Sequence, residues 1–181
     1  MSQGDEKLPK HELDSEELAE LAKLGDEDAF TALYDRHYRM IYSLGYQFFA
    51  NQSDAEDVMQ EAFVKAARSL DSFRKESKFS SWLYRIAYNV CVDLFKKKKR
   101  RSENTVIGAD LSTLATDGSG ERNREILAAI QTLSEKERGA VIMSYYQGFN
   151  HAEIAKVLGC KEKTVSWYLL EAKKKLKALL S

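Results

Sequence analysis

The sequence predicts an all-α protein in which two small helical domains are joined by a flexible linker. Its 181 residues contain one proline, Pro9, and many leucine, alanine, lysine and glutamate residues, which favour helices. Apolar residues recur at helical spacing on both sides of residues 102–123, where periodicity is lost and glycine, serine, threonine and aspartate accumulate. The C-terminal domain is predicted to contain a helix-turn-helix.

The first domain is predicted to comprise residues 15–101, and residues 1–14 before it are predicted to be a disordered tail. Its first helix ends at Gly25, and Asp26 caps a second helix that runs to about Phe49. Both helices carry their apolar residues on one side, as expected for members of a bundle.

A third helix is predicted to begin at Asp54, with apolar residues on one face and carboxylates and amides on the other. A polar loop, 71–79, follows it, and Ser80 caps a long helix that runs to about Lys99. The side of this helix that is predicted to be exposed holds Tyr84, Arg85, Tyr88, Asn89 and Asp93.

The second domain, 124–181, is predicted to begin with two helices, of which the second is capped by Ser134. A capping box formed by Asn150 and Glu153 then begins a short helix. Gly159 supplies a turn, and a basic helix follows it. This arrangement is typical of a helix-turn-helix whose second helix lies in the major groove of DNA. A plain αα-hairpin is the competing interpretation.

Charge is segregated along the chain although the formal net charge is zero. Residues 1–35 carry a net charge of −8 and residues 102–123 carry −3. Residues 61–101 carry +8 and residues 148–181 carry +4. Two basic blocks separated by acidic ones indicate two places where an anionic polymer would bind. The cancellation also predicts weak binding of the free protein to duplex DNA.

No catalytic or metal-binding pattern is present in the sequence. Cys91 and Cys160 are far apart and outside any CxxC motif, and His11, His37 and His151 have no ligand spacing. We therefore expect no enzyme activity, no metal, no cofactor and no disulfide. No apolar run could span a bilayer and no signal peptide is evident, so a cytoplasmic protein without direct membrane insertion is expected.

The chain resembles the extracytoplasmic-function sigma factors, the smallest class of bacterial sigma factors. The resemblance covers about residues 15–180, and it is carried by four stretches in the expected order: 26–34, 54–63, 79–89 and 148–176. It implies a protein that binds core RNA polymerase, directs it to specific promoters and helps to melt the −10 region. The implied partners are core RNA polymerase, promoter DNA and an anti-sigma factor.

The resemblance also implies three sets of contact residues. The set that would bind the coiled coil of the largest polymerase subunit is Asp54, Asp57, Gln60 and Glu61. The set that would hold unstacked bases and phosphates of the −10 element is Phe73, Lys78, Trp82, Arg85, Tyr88, Asn89, Lys96, Lys97 and Arg100. The set that would contact the −35 element is Lys163, Thr164, Ser166, Trp167, Leu170, Glu171 and Lys174.

Some positions depart from the family pattern or have a second interpretation. Many members place basic residues where this chain has Ser166, Tyr168 and Glu171. Glu171 cannot bind phosphate, although a carboxylate can accept a hydrogen bond from a cytosine amino group. Lys161 stands where a better helix cap is expected. Trp82 is expected to lie partly in the core.

Two other classes of protein account for only part of the sequence. A dimeric helix-turn-helix repressor or activator would explain residues 124–180, but it would leave 54–63 and 79–89 unexplained. A helical adaptor that binds protein alone would leave the basic blocks unexplained. Acid–base chemistry has no supporting cluster, because the carboxylates lie on charged helical faces.

Overall fold

The computed structural model describes residues 9–103 and 120–181, and within them it contains eight α-helices and no strand. This confirms the all-α prediction. The helices form an N-terminal bundle (α1–α4) and a C-terminal bundle (α5–α8). Residues 104–119, the larger part of the predicted linker, lie outside the described residues.

Four helices and a short 3-10 helix at Leu70–Ser72 make up the N-terminal bundle. The α-helices are α1 (Ser15–Lys23), α2 (Glu27–Phe49), α3 (Gln52–Ser69) and α4 (Phe79–Glu103). Asp26 caps α2, as predicted, by accepting a hydrogen bond from the Ala29 N–H at 3.0 Å. The predicted start of α3 is wrong by two residues. The Asn51 side chain caps α3 by accepting a hydrogen bond from the N–H of Asp54.

The axes of α2 and α3 approach closely at Gly45. A Cβ atom on this glycine would lie 2.9 Å from the Cα of Ala55, so no larger residue fits without moving a helix. Leu44 and Phe48 on α2 pack with Val58 of α3 in the core beside this contact. The close approach explains a glycine inside a helix, where it otherwise costs about 1 kcal/mol relative to alanine.

The long helix α4 begins one residue before the predicted cap at Ser80 and continues beyond Lys99. The prediction that Tyr84 and Tyr88 are exposed is wrong, because both side chains are buried. The C-terminal bundle packs on the side of α4 that holds them. Arg85 and Asn89 are exposed on α4, as predicted.

The C-terminal bundle also has four helices, and a π-helical segment at Ile142–Tyr146 continues the second of them. They are α5 (Glu121–Gln131), α6 (Glu135–Val141), α7 (His151–Leu158) and α8 (Glu162–Leu180). The cap predicted at Ser134 and the capping box predicted at Asn150 are both present, and Ser134 also forms a capping box, with Glu137. Gly159 has a φ of +63°, which a residue with a side chain rarely adopts, and it ends α7 at the turn before α8.

A buried guanidinium is one of the contacts that join the two bundles. Arg138, on α6, is 3% exposed, and it reaches across to donate a hydrogen bond to the carbonyl of Phe48 at 2.8 Å. The same guanidinium donates to the carbonyls of Gln131 at 2.5 Å and Leu133 at 3.2 Å. It also lies 5.1 Å from the ring centre of Phe48 and 5.0 Å from that of Phe95.

Next to Arg138, the backbone of α6 lies directly against Tyr88. A Cβ atom on Gly139 would come within 2.4 Å of the Tyr88 ring. The Tyr88 hydroxyl donates to the carbonyl of Glu135 at 3.4 Å, and the carboxylate of Glu135 is 3.9 Å from Lys96. The face of α4 that holds Tyr84, Tyr88 and Lys96 is therefore engaged by the C-terminal bundle.

Part of the predicted disordered tail is ordered by contacts with α2. Residues 9–12 form a turn in which the Glu12 N–H donates to the Pro9 carbonyl at 2.8 Å. Lys10 forms an ion pair with Asp26 at 2.5 Å. Among the described residues, no helix is long and apolar enough to cross a membrane.

Replacing Arg138 with alanine should destabilise the protein by about 3 kcal/mol, because buried carbonyls at the bundle interface would lose their donor. Urea unfolding followed by circular dichroism measures this change. Arg124→Ala removes an exposed arginine from α5 and serves as the control. Equal free energies of unfolding for the two variants would contradict the proposed importance of Arg138.

Candidate functional site

The outer faces of α3 and α4 enclose a groove of about 380 Å³. Three of the four residues predicted to bind polymerase, Asp57, Gln60 and Glu61, lie together along it. The full lining is Asp57, Gln60, Glu61, Lys65, Val90, Asp93, Leu94 and Lys97. The groove therefore combines a charged rim, in which three carboxylates outnumber two lysines, with an apolar floor.

The charges along this groove are only weakly paired with one another. Lys65 lies between Glu61 and Asp93, with its ammonium 3.7 Å from a carboxylate oxygen of each. Exposed pairs at this distance contribute at most about 1 kcal/mol. The carboxylates of Asp57 and Glu61 therefore remain available to a basic partner, and the apolar floor would bury part of that partner.

Asp54 is not part of this groove. Its residue surface is 9% exposed, and its carboxylate accepts a hydrogen bond from the Lys98 ammonium at 2.5 Å. Lys98 also lies 5.6 Å from the ring centre of Phe49. The ion pair with Lys98 therefore connects α3 to α4 at Asp54. Asp54 does not lie with the other three residues of the set predicted to bind polymerase.

An aromatic cluster supports the polar loop that precedes α4. The rings of Phe73, Phe79 and Trp82 have centres 5.4–5.5 Å apart. Phe73 and Phe79 are buried, whereas Trp82 is half-buried, as predicted for a residue that is partly core. Lys78 is exposed on the loop itself. Phe73 thus holds the base of the loop and offers little free surface.

The residues predicted to contact the −10 element differ in exposure, because one side of α4 packs against the C-terminal bundle. Arg85 and Asn89 are four residues apart, so they share an exposed face of the helix, whereas Tyr88 is buried against α6. Further along α4, Lys96 faces Glu135 of the C-terminal bundle. Lys97 and Arg100 are exposed.

On α8, the predicted recognition helix, the exposed members of the −35 set are Lys163, Ser166, Trp167, Leu170 and Lys174. Trp167 is 55% exposed, which is unusual for so large an apolar side chain in an unbound helix. Thr164 is half-buried. Glu171 is also half-buried, and its carboxylate accepts a hydrogen bond from Lys174 at 2.8 Å. The Ser166 hydroxyl lies 3.1 Å from Nδ1 of His151, which ties α8 to α7.

Several residues that organise these surfaces were not singled out from the sequence. Glu137 is buried, and its carboxylate accepts hydrogen bonds from Lys175 at 2.7 and 2.8 Å. Burial opposes ionisation of Glu137, but the bonds from Lys175 and Ser134 outweigh it and lower its pKa. Gly139 inside a helix is the signal that could have indicated a close contact in this region.

A buried histidine lies beneath the polar loop. Nε2 of His37 is 2.9 Å from the Ser15 hydroxyl, and its ring centre is 5.5 Å from that of Phe79. Burial lowers the pKa of His37, and the neighbouring charge of Arg36 lowers it further, while Glu16 opposes the shift. His37 is therefore a neutral core residue. Among the described residues, no cluster of potential ligands is arranged to hold a metal ion.

Comparison with protein-family models matches Sigma-70 region 2 to residues 33–101 and Sigma-70, region 4 to residues 123–176. The ECF RNA polymerase sigma factor SigW of Bacillus subtilis is 35% identical over 157 residues, which are 79% of this chain and 84% of SigW. The ECF RNA polymerase sigma-E factor of Escherichia coli is 32% identical over 176 residues, which are 90% of this chain and 92% of that protein.

Solved structures with the same fold include two complexes. CnrH, in complex with the cytosolic domain of CnrY, has a TM-score of 0.68 and 28% identity, with 90% of this chain and 94% of that one covered. The sigma factor RpoE of Bartonella quintana, in complex with the anti-sigma factor NepR, has a TM-score of 0.69 and 23% identity. Its match covers 83% of this chain and 96% of that one, and it shows the fold alone.

Because the folded state keeps His37 neutral, the unfolded chain binds its proton first as the pH falls below about 6.5. The stability that His37 contributes is fully present above this pH and is lost progressively as the pH falls from it through the lower pKa of the folded state. The melting temperature of His37→Gln should therefore decline less between pH 7.5 and pH 5.5 than that of the wild type. His11→Gln, at an exposed site, is the control. Parallel declines for wild type and His37→Gln would contradict this prediction.

Proposed function

The chain belongs to the extracytoplasmic-function sigma factors, alternative sigma factors that direct RNA polymerase to promoters, and we propose how its surfaces divide that work. Residues 15–101 bind core polymerase and the −10 element, residues 124–181 bind the −35 element, and residues 102–123 link them. Sigma factors are regulatory DNA-binding proteins rather than enzymes. A dimeric repressor or activator is not favoured, because both sigma-factor domains are matched.

The groove between α3 and α4 is the observation that carries this proposal. It presents Asp57, Gln60 and Glu61 on one rim and the apolar side chains of Val90 and Leu94 on its floor. A helical partner with basic and apolar residues matches this chemistry, with the charges orienting the approach and the floor supplying burial. We assign the groove to core polymerase and Asp54 to the support of its α3 wall.

The loop at 73–79 and the exposed face of α4 are proposed to open the −10 element. Bases that leave the stack need a pocket and cations on their backbone. Arg85 and Asn89 supply exposed donors on α4, and Lys97 and Arg100 supply exposed positive charge further along it. The aromatic cluster around Phe73 and Trp82 forms the base of the pocket.

The exposed residues of α8 are proposed to enter the major groove at the −35 element. Lys163 and Lys174 are suited to phosphates, and Trp167 and Leu170 offer apolar surface that thymine methyl groups can contact. Glu171 and Lys174 neutralise each other in the unbound protein. Selection of the −35 sequence would then depend on which partner Glu171 keeps in the complex.

We propose that the two bundles separate when the protein joins polymerase. Tyr88 is 4% exposed, so the closed arrangement withholds this residue of the −10 set, whereas Lys96 stays exposed and forms only a long ion pair with Glu135, at 3.9 Å. Binding of α3 and α4 to polymerase would favour the open arrangement if polymerase has higher affinity for it. An anti-sigma factor would act in the opposite sense, by binding surfaces that polymerase needs.

Run-off transcription with purified core RNA polymerase tests the function directly. Adding the chain should yield specific start sites on fragments of genomic DNA from the organism that encodes it. Core polymerase alone is the control. The proposal would be overturned if none of the fragments gave a specific start site.

Glu61→Lys should weaken binding to core polymerase by more than tenfold, which is about 1.4 kcal/mol, because it places a like charge against the basic partner. Fluorescence anisotropy with labelled protein and core polymerase measures the dissociation constant. Glu56→Lys makes the same charge change at an exposed position on α3 outside the groove. An equal loss for both variants would show that net charge, rather than the groove, governs binding.

Gly139→Ala should open the pair of bundles, because its methyl group would overlap the buried Tyr88 ring. The radius of gyration measured by small-angle X-ray scattering should rise, and the free protein should bind promoter duplex about tenfold more tightly. Gly120→Ala is the matched control, since nothing lies within 4 Å of a Cβ atom there. Unchanged scattering and DNA affinity would contradict the closed, low-affinity arrangement.

A further inference from the structure

Helix α1 holds both ends of the loop at 73–79. At the first end, the Lys23 ammonium donates to the carbonyl of Phe73 at 2.6 Å and lies 5.5 Å from the centre of its ring. At the other end, the N–H of Phe79 donates to Oε1 of Glu16 at 2.7 Å. Glu16 and Lys23 are seven residues apart, which is about two turns of helix. One helix face therefore spans the base of the loop.

Each of these contacts involves a charged group and a backbone group that lacks another strong partner. The Phe79 N–H is the first of α4, and such a donor has no acceptor within its own helix. The Glu16 carboxylate therefore caps α4 from a different helix and complements its positive end. The Lys23 side chain is 19% exposed, and its ammonium is steadied by Glu20, 2.8 Å away.

The loop itself contributes little to its own conformation. Residues 74–78 are exposed, and the backbone hydrogen bond from the Ser77 N–H to the Arg74 carbonyl is long, at 3.5 Å. Phe73 and Phe79, in contrast, are buried with their rings 5.4 Å apart. The path of the exposed residues is thus determined by where α1 fixes the two phenylalanines.

We propose that Glu16 and Lys23 are positioning residues for the base that this loop captures when the −10 element opens. The inference rests on the proposed function, and it extends that function to a helix that need not touch DNA. If either end of the loop is released, the pocket loses its shape while the groove for polymerase, whose α4 residues begin 11 positions after Phe79, at Val90, stays intact. Selectivity for the captured base should then fall while affinity for polymerase is kept.

The test uses the full chain assembled with core RNA polymerase and forked promoter DNA built on a mapped start site. The non-template strand carries either the natural base or an abasic site at each position of the −10 element in turn. The ratio of the two dissociation constants at each position is the base preference. Because the ratio is taken within one protein, loss of part of the folded population does not alter it.

Wild-type protein should prefer the natural base by about tenfold at one position or more, as expected for a stacked and captured base. Lys23→Met and Glu16→Gln should reduce this preference to below about threefold without changing the affinity for core polymerase. Lys23→Arg should restore it, because a guanidinium can also donate to the Phe73 carbonyl. Glu27→Gln, which neutralises an exposed acid at the start of α2, should behave as wild type.

Two results would overturn the inference and are distinguishable from each other. If the wild type shows the preference and both variants retain it, α1 does not position the pocket, although the loop still captures a base. If the wild type shows no preference at any position, the proposed role of the loop fails and the inference fails with it. Loss of preference in Lys23→Arg as severe as in Lys23→Met would also exclude the hydrogen bond to Phe73 as the cause.

Discussion

The Arg138 guanidinium satisfies the ends of two helices at once, and the arrangement of the bundles depends on it. The last carbonyls of a helix have no partner within that helix. Phe48 belongs to the last turn of α2, while Gln131 and Leu133 lie at the end of α5, and the carbonyls of all three accept from Arg138. The positive charge also lies at the negative ends of both helices. Separation of the bundles must therefore rehydrate a cation and expose the carbonyl of Phe48 together.

Local signals in the sequence were sufficient for most of the secondary structure. The caps at Asp26, Ser134 and Asn150 were predicted because each depends on residues within three positions of it. The cap at Asn51 was missed, since the carboxylates that begin at Asp54 resemble the acidic first turn of a helix. A polar or small residue therefore locates the start of a helix from sequence only where no second residue nearby could also begin that helix.

Contacts between the bundles could not be predicted in the same way. Helical periodicity assigns one buried face to α4, but this helix is buried on a second side by residues further along the chain: Glu135 lies 47 positions after Tyr88, and Phe149 lies 65 positions after Tyr84. Tyr84 and Tyr88 were therefore both predicted to be exposed, and Tyr88 was assigned to the −10 set. The groove was only partly predicted: its α3 rim was identified by resemblance, whereas the floor formed by Val90 and Leu94 requires knowledge of how α3 and α4 pack.

The positions of the two tryptophans make the protein a natural spectroscopic reporter. Trp82 is half-buried between Phe73 and Phe79 in the N-terminal bundle, whereas the Trp167 side chain on α8 is exposed to solvent. Tryptophan fluorescence therefore contains one sheltered and one quencher-accessible emitter, and each belongs to a different proposed DNA-contact surface. Replacing either with phenylalanine leaves a single-tryptophan protein, in which engagement of one proposed promoter contact can be followed in real time, by selective excitation of tryptophan, without an attached dye.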